Sequence, residues 1–229
     1  MITVISLGGS IVAPNTVDEP FLKDLISLIR MLLEEESQRR FILVVGGGGP
    51  ARVWQQAYRT ISGNAVSHEQ ADWIGIMATR LNAELIRGIL GSWCTQAVVT
   101  DPTQAVFEGR VLVAAGWKPG FSSDYDAVLL AERFKADKVI NLSNIEQVYT
   151  DDPHTNTEAK PIDTISWAEF RVLVGDEWAP GKHVPFDPIA SRHAAQINLP
   201  VICAAGRNLE NLKKILHGES FIGTTIGPL

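Results

Sequence analysis

Three short runs of small residues carry the chemistry open to this sequence. Gly8-Gly9-Ser10 comes straight after the apolar run Ile2–Leu7. Gly46-Gly47-Gly48-Gly49 follows the apolar run Phe41–Val45 and leads into Pro50-Ala51-Arg52. Gly116-Trp117-Lys118-Pro119-Gly120-Phe121-Ser122-Ser123-Asp124 follows Val111–Ala115. A glycine turn between a buried strand and a helix start brings backbone N–H groups close to an anion, at the positive end of the helix dipole. Pro50 suits a first helical position because its φ is already helical. Four consecutive glycines cost stability that a plain tight turn does not require, which favours phosphate binding over an empty turn. One phosphate needs one such loop. Several at the same sheet edge point to two phosphate-bearing substrates set end to end, the layout of phosphoryl transfer, where positioning and positive charge supply most of the catalysis.

The elements that must position these loops alternate along the chain. Ile2–Leu7, Phe41–Val45, Ala97–Thr100, Val111–Ala115, Val139–Leu142, Pro200–Ala204 and Phe221–Ile226 read as strands, several apolar throughout, as strands buried on both faces are. Between them, Asp18 and Pro20 open an amphipathic helix, Pro50–Ile61 forms a second, and Ser67 with Gln70 caps a long helix to Leu90. On that helix Trp73, Ile74, Met77, Leu81, Leu85 and Ile89 form an apolar stripe, while Asp72 and Arg80 fall on its other faces, where a solvated helix surface is the simplest reading. Asp124 is placed to cap helix Tyr125–Phe134, Ser166 and Glu169 form a capping box, and Asp187-Pro188 opens helix Ile189–Ile197. Ser143–Pro153 reads as a polar loop with one buried aromatic, Asp176–Phe186 as a flap over a site, and Leu209–His217 as the last helix. Strand–helix alternation predicts a single α/β domain, a three-layer αβα sandwich on a mostly parallel sheet.

Composition removes several function classes. The net charge of −6 comes with no basic block, which argues against a nucleic-acid partner but not against small anions held by local cations. Cys94 and Cys203 lie far apart with no metal spacing, so a reducing compartment and no protein-held metal are expected. The N-terminal run has no basic leader and no run approaches membrane-spanning length, which predicts a cytoplasmic protein without membrane contact. Gly46, Gly48 and Ala51 fit G-x-G-x-x-A, but the acidic residue that should close a second strand about twenty residues on falls instead in the polar stretch Ser62–Asp72. A Walker-type loop, H-E-x-x-H and a G-x-S-x-G elbow are all absent, so metal hydrolysis and acyl transfer have no support.

Leu7-Gly8-Gly9-Ser10 and Val44-Val45-Gly46-Gly47-Gly48 are similar to the amino-acid kinase superfamily. Asp72-x-Ile74-Gly75-Ile76, Thr79-Arg80-x-Asn82-Ala83, Pro119-Gly120-x-Ser122-Ser123-Asp124, Val148-Tyr149-x-x-Asp152-Pro153 and Asp187-Pro188-x-Ala190 resemble its uridylate kinases, the archaeal-type form above all. The matches are in order and span almost the whole chain. The resemblance implies transfer from ATP to UMP with Mg²⁺, on an αβα sandwich that assembles as a hexamer. Acceptor binding would fall to a lobe of about residues 1–135 and ATP binding to one of about 136–229. Carried over by residue, Gly8, Gly9 and Ser10 would cradle the ATP phosphates, and Asn144, Tyr149, Asp152 and Pro153 would line its nucleoside end. Gly47, Gly48 and Arg52 would hold the UMP phosphate, Asp72 the ribose hydroxyls, and Gly120, Ser122 and Ser123 the uridine and the transferring phosphate. Ser10, Asp124 and Arg192 would act at the reaction centre.

The chain departs from the pattern where cations are usual. Ser6 stands where much of the superfamily has Lys, which the archaeal-type uridylate kinases also lack; Gly49 stands where those enzymes often have a Lys after the three glycines. Phosphoryl transfer wants positive charge at the bridging and γ oxygens. Arg192, Lys118 and Lys182 are therefore the candidate cations, each of which could equally be a surface charge. Two rival readings stay open: a same-fold kinase for another small acceptor such as isopentenyl phosphate, and a non-catalytic nucleotide or oxyanion store.

Overall fold

The computed structural model describes residues 1–153, 155–175 and 184–228. Ile2–Leu7 (β1), Arg40–Val45 (β2), Val111–Ala114 (β3), Lys138–Ser143 (β4) and Val201–Ala205 (β8) run parallel at the centre of a seven-stranded sheet, ordered β3-β2-β1-β4-β8-β9-β7. Thr224–Gly227 (β9) pairs antiparallel with β8, and Thr164–Ser166 (β7) parallel with β9, so the far edge runs against the rest. A two-stranded hairpin, Val148–Tyr149 (β5) with Pro161–Ile162 (β6), stands outside the sheet.

Strand alternation sorts the core into two layers. Ile5, Leu7, Phe41, Leu43, Val45, Val113, Ile140, Leu142 and Ile202 face helices Glu19–Glu35 (α2), His68–Leu90 (α4) and Leu209–His217 (α8). Val4, Ile42, Val44, Leu112, Val139, Val201 and Cys203 face Ser123–Phe134 (α5), Trp167–Val174 (α6) and Pro188–Gln196 (α7). This is the αβα sandwich read from the alternation. The helix starts follow their caps: Asp18 accepts from Phe21, Ser67 from Gln70, Asp187 from Ala190, and Ser166 with Glu169 makes a full capping box.

Several expectations are corrected. Of Ala97–Thr100, only Val99 pairs, with Ala114; the neighbouring Gln96 side chain is used to close the loop on Val106 and Glu108. The last strand begins three residues late, because the backbone of Ile222 is bonded to the Asn211 side chain of α8. The stripe on α4 faces outward: Met77 is 57% and Leu81 71% exposed, while Ile76, Ala83, Ile86 and Leu90 enter the core. Gly48–Ser62 (α3) adds Val53, Trp54 and Ile61 to this open apolar surface. In the Ser143–Pro153 loop the buried residue is Val148, with Tyr149 half-buried. Residues 176–183 of the expected flap lie outside the described residues; Phe186 beyond them is fully buried.

Gly88 sits inside α4 with open space where a Cβ would go. Gly88→Ala should therefore raise stability in urea unfolding by about 0.5–1 kcal/mol, the helix-propensity difference. A loss would show that the position is packed.

Candidate active site

The two glycine turns end the neighbouring strands β1 and β2 and pack backbone against backbone. A Cβ at Gly9 would fall on the backbone nitrogen of Gly48, and one at Gly46 on that of Gly9, both inside the 3.0 Å that Cβ atoms keep from other heavy atoms. Gly48 has φ +65 and meets the carbonyls of Ala13 and Gly9. Gly49 lies against Pro14 and Asn15, which explains why a side chain, lysine included, has no room there. Most of these glycines are thus required by loop-on-loop packing, a physical cause different from the phosphate approach read from the sequence. Gly8 N–H donates to Leu142 (2.9 Å), Gly46 N–H to Leu7 (2.9 Å) and Gly49 N–H to Ala13 (2.8 Å). The amides of Gly9, Ser10, Gly47 and Gly48 have no acceptor among the described residues. Unpaired amides at a turn of this kind can donate to an anion. α3 begins at Gly48, not at Pro50, with Gly47 as its uncapped N-cap.

Beside the second turn opens a cleft of about 320 Å³, within the range of small-molecule sites. Gly47, the N-cap of α3, lines it with Ala51 and Gln55 from that helix, Asp72, Gly75, Ile76 and Thr79 from α4, Gly116 and Gly120–Ser123 from the third loop, and Asp187 and Ile189 from the start of α7. A shallower hollow of about 270 Å³ at Gln96–Glu108 lies away from all three glycine turns. Polar side chains of α4 hold the loops around the cleft in place. Asn82 donates to the carbonyls of Gly46 (2.9 Å) and Gly47 (3.2 Å), turning the loop's oxygens away. Thr79 Oγ1 accepts from Gly116 N–H at 2.8 Å, and Arg80 donates to the carbonyls of Gly116 and Trp117. Asp72 accepts from Gly120 N–H at 3.1 Å and is half-buried. A solvated helix face is therefore wrong for both Asp72 and Arg80.

Asp124 does not cap α5. Ser122 does, accepting from Tyr125 N–H at 3.2 Å, and Asp124 occupies the second helical position. Its carboxylate turns to the sheet, accepting from Ser6 Oγ (3.2 Å) and from Asp187 N–H (3.3 Å). The residue as a whole is only half-buried, yet the carboxyl group is enclosed by these partners, and burial, with the Asp187 charge beside it, pushes it up to about 6. Asp126 is pushed higher, to about 7, mainly by burial and secondarily by the charges of Asp124 and Asp101. It accepts from Trp117 N–H at 3.2 Å, while its other oxygen is buried with no partner among the described residues.

On the opposite flank, Gly8, Ser143 and Gly206 meet where β1, β4 and β8 end: Gly206 N–H donates to Ser143 at 2.8 Å. Asn144 follows directly and is exposed; Tyr149 lies in the β5–β6 hairpin. The Asp152 carbonyl accepts from Thr155 and Asn156, shaping the exposed turn that holds Pro153. Gly206-Arg207-Asn208 carries no signal in the sequence; its glycine is single, and only the fold brings it against Ser143 and Leu142. Arg207 pairs with Asp18 at 2.7 Å. Of the candidate cations, Lys118 lies over the rings of Trp117 (3.9 Å) and Phe121 (5.2 Å) at the cleft rim. Arg192 is exposed on α7, and Lys182 falls outside the described residues. Arg52 is also exposed; it donates to the Pro14 carbonyl at 2.9 Å and is not among the residues that line the cleft.

The sequence profile described as Amino acid kinase family matches residues 1–205. A uridylate kinase of Methanospirillum hungatei is 34% identical over 97% of the chain and 93% of its own length. One of Thermoplasma volcanium is 32% identical over 97% and 96%. The crystal structure of uridylate kinase from Archaeoglobus fulgidus superposes with a TM-score of 0.83 at 31% identity, covering 99% of this chain and all of that one.

Proposed function

Since the chain belongs to the amino acid kinase family, we propose that it transfers the γ-phosphoryl group of ATP to UMP, giving ADP and UDP. The observation that carries this reading is the pair of interlocked glycine turns on neighbouring strands, each leaving two amides without an acceptor among the described residues. Two phosphates held there are brought end to end. In the proposed site, Gly8, Gly9 and Ser10 take the ATP phosphates, with Asn144, Tyr149, Asp152 and Pro153 toward its nucleoside, in a lobe of about residues 136–229 completed by the first turn. Gly47, Gly48 and Arg52 take the UMP phosphate, and Asp72, Gly120, Ser122 and Ser123 its nucleoside.

A UMP phosphate oxygen attacks the γ-phosphorus in line; the new P–O bond forms as the bond to the β–γ bridging oxygen breaks and ADP departs. That oxygen is already ionised, so no general base is required. Asp124, Ser10 and Arg192 stand at the junction in this reading, with Lys118 at the rim as a second cation. Mg²⁺ suits the donor set: no group of three or more His, Cys, Asp or Glu converges among the described residues, so the ion would arrive on phosphate and water oxygens, as Mg²⁺ commonly does, and neutralise their charge. The exposed apolar faces of α3 and α4 support a homo-oligomer, a hexamer by family likeness. Two buried free cysteines fit the cytoplasm, and no helix among the described residues is long and apolar enough to cross a membrane.

The test is ADP release from Mg-ATP with UMP, CMP, dUMP, AMP and isopentenyl phosphate. Selective turnover of UMP is expected. Selective turnover of another acceptor would move the specificity, and ATP binding without turnover would make the protein a nucleotide binder. Arg52→Ala should raise the UMP KM about tenfold or more, the size of a lost charge-assisted hydrogen bond, with ATP KM nearly unchanged. Equal effects on both substrates would show that the two turns are assigned to the wrong ligands.

A further inference from the structure

Gln55 is the one long polar side chain that α3 contributes to the cleft. Gly47, Ala51 and Gln55 lie four residues apart, so the cleft's α3 wall runs about 6 Å per step and about 12 Å from the phosphate turn to Gln55. That span reaches past the ribose of a nucleoside monophosphate to its base. Across the cleft the amide rests on α4, where Nε2 donates to the Ala71 carbonyl at 2.8 Å. Gly75 makes the seat: a Cβ there would lie 2.6 Å from Nε2.

This bond decides which way the amide faces. A backbone carbonyl only accepts, so the nitrogen must be the atom against Ala71, and a flipped amide would set oxygen against oxygen. The remaining capacity is Oε1 as acceptor and the second N–H as donor, neither used by another described residue. An acceptor and a donor side by side, in fixed order, complement the N3–H and O4 of uracil. Cytosine carries the opposite order, an N3 acceptor and an N4 donor, and would need the flipped amide.

Resting on the UMP-kinase reading above, we propose that Gln55 is a specificity-determining residue that hydrogen-bonds the imide edge of the acceptor's base, with Ala71 and Gly75 locking its amide against cytosine. Gln55 is half-buried, and a partly desolvated amide left unpaired by the wrong base discriminates better than a shape mismatch.

The test uses the full chain with Mg-ATP, comparing UMP with CMP for the wild type and for Gln55→Met, which keeps the length over Gly75 and removes both polar atoms. Gln55→Met should raise the UMP KM about tenfold or more, with kcat within about twofold and melting temperature unchanged, and should narrow the UMP/CMP preference by the same factor. An unchanged UMP KM, or equal losses on UMP and CMP, would overturn the assignment. A second measurement needs no variant: calorimetric binding of UMP against 3-methyl-UMP, whose N3 donor is blocked, should show at least tenfold weaker binding of the methylated ligand. Equal binding overturns the proposal. If the wild type binds UMP but does not turn it over, the kinase reading fails while this comparison still decides on Gln55. If it binds no UMP, both fall.

Discussion

Gly9→Ala is expected to destabilise the protein by about 3 kcal/mol or more, the upper range for an overpacked site, and to abolish turnover. The methyl group would occupy the place of the Gly48 backbone nitrogen and crowd Gly47 as well. Neither neighbour is a flexible side chain that could swing aside. Gly48 is itself held between the carbonyls of Ala13 and Gly9, and the carbonyls of Gly46 and Gly47 are pinned by Asn82. Relief would therefore require the ends of β1 and β2 to part, and these strands pair in register up to Leu7 and Val45. Urea unfolding of Gly9→Ala beside Gly88→Ala gives the contrast, since one methyl meets backbone and the other meets open space. A Gly9→Ala protein with wild-type stability would refute the interlocked packing of the two turns.

The second large effect is a gain. Asp126→Asn should stabilise the protein at pH 8 by on the order of 3 kcal/mol, and by little at pH 4. Burial raises the folded-state value of Asp126 from 3.8 to about 7, with Asp124 and Asp101 adding to the rise. The folded state therefore holds the proton more tightly than the unfolded chain. Between about pH 4 and 7 the wild type loses stability as pH rises, and above pH 7 the whole cost of a buried carboxylate is present. Asparagine keeps an oxygen for Trp117 N–H and removes the charge, so the variant's stability should be flatter across that window. Asp124, pushed up to about 6, contributes a smaller slope of the same sign. Chemical denaturation at pH 4, 6 and 8 measures the difference, and a gain independent of pH would rule out the charge as its cause. The cost is borne in the helix that carries Ser123 and Asp124 to the cleft, and Asp126 anchors the loop between β3 and that helix.

What the sequence determined by itself was local. Apolar runs of β-branched residues made β1, β2, β4 and β8, and the caps at Asp18, Ser67, Ser166 and Asp187 opened their helices, because periodicity and capping act within a few residues. The glycine turns and the family resemblance were legible for the same reason: they are contiguous. The tertiary structure decided everything that depends on residues far apart. Asp124 abandons its cap because Ser6, 118 residues earlier, and Asp187 stand in front of it. Asn82, Thr79 and Arg80 become cleft supports only once α4 lies beside two loops that the linear order separates from it. The α4 stripe points outward because α4 meets the sheet through Ala83 and Ile86, and helical periodicity reports the two faces without saying which one is covered. Four glycines in a row read as a phosphate loop, and only the packing showed that three of them also make room for a neighbouring backbone.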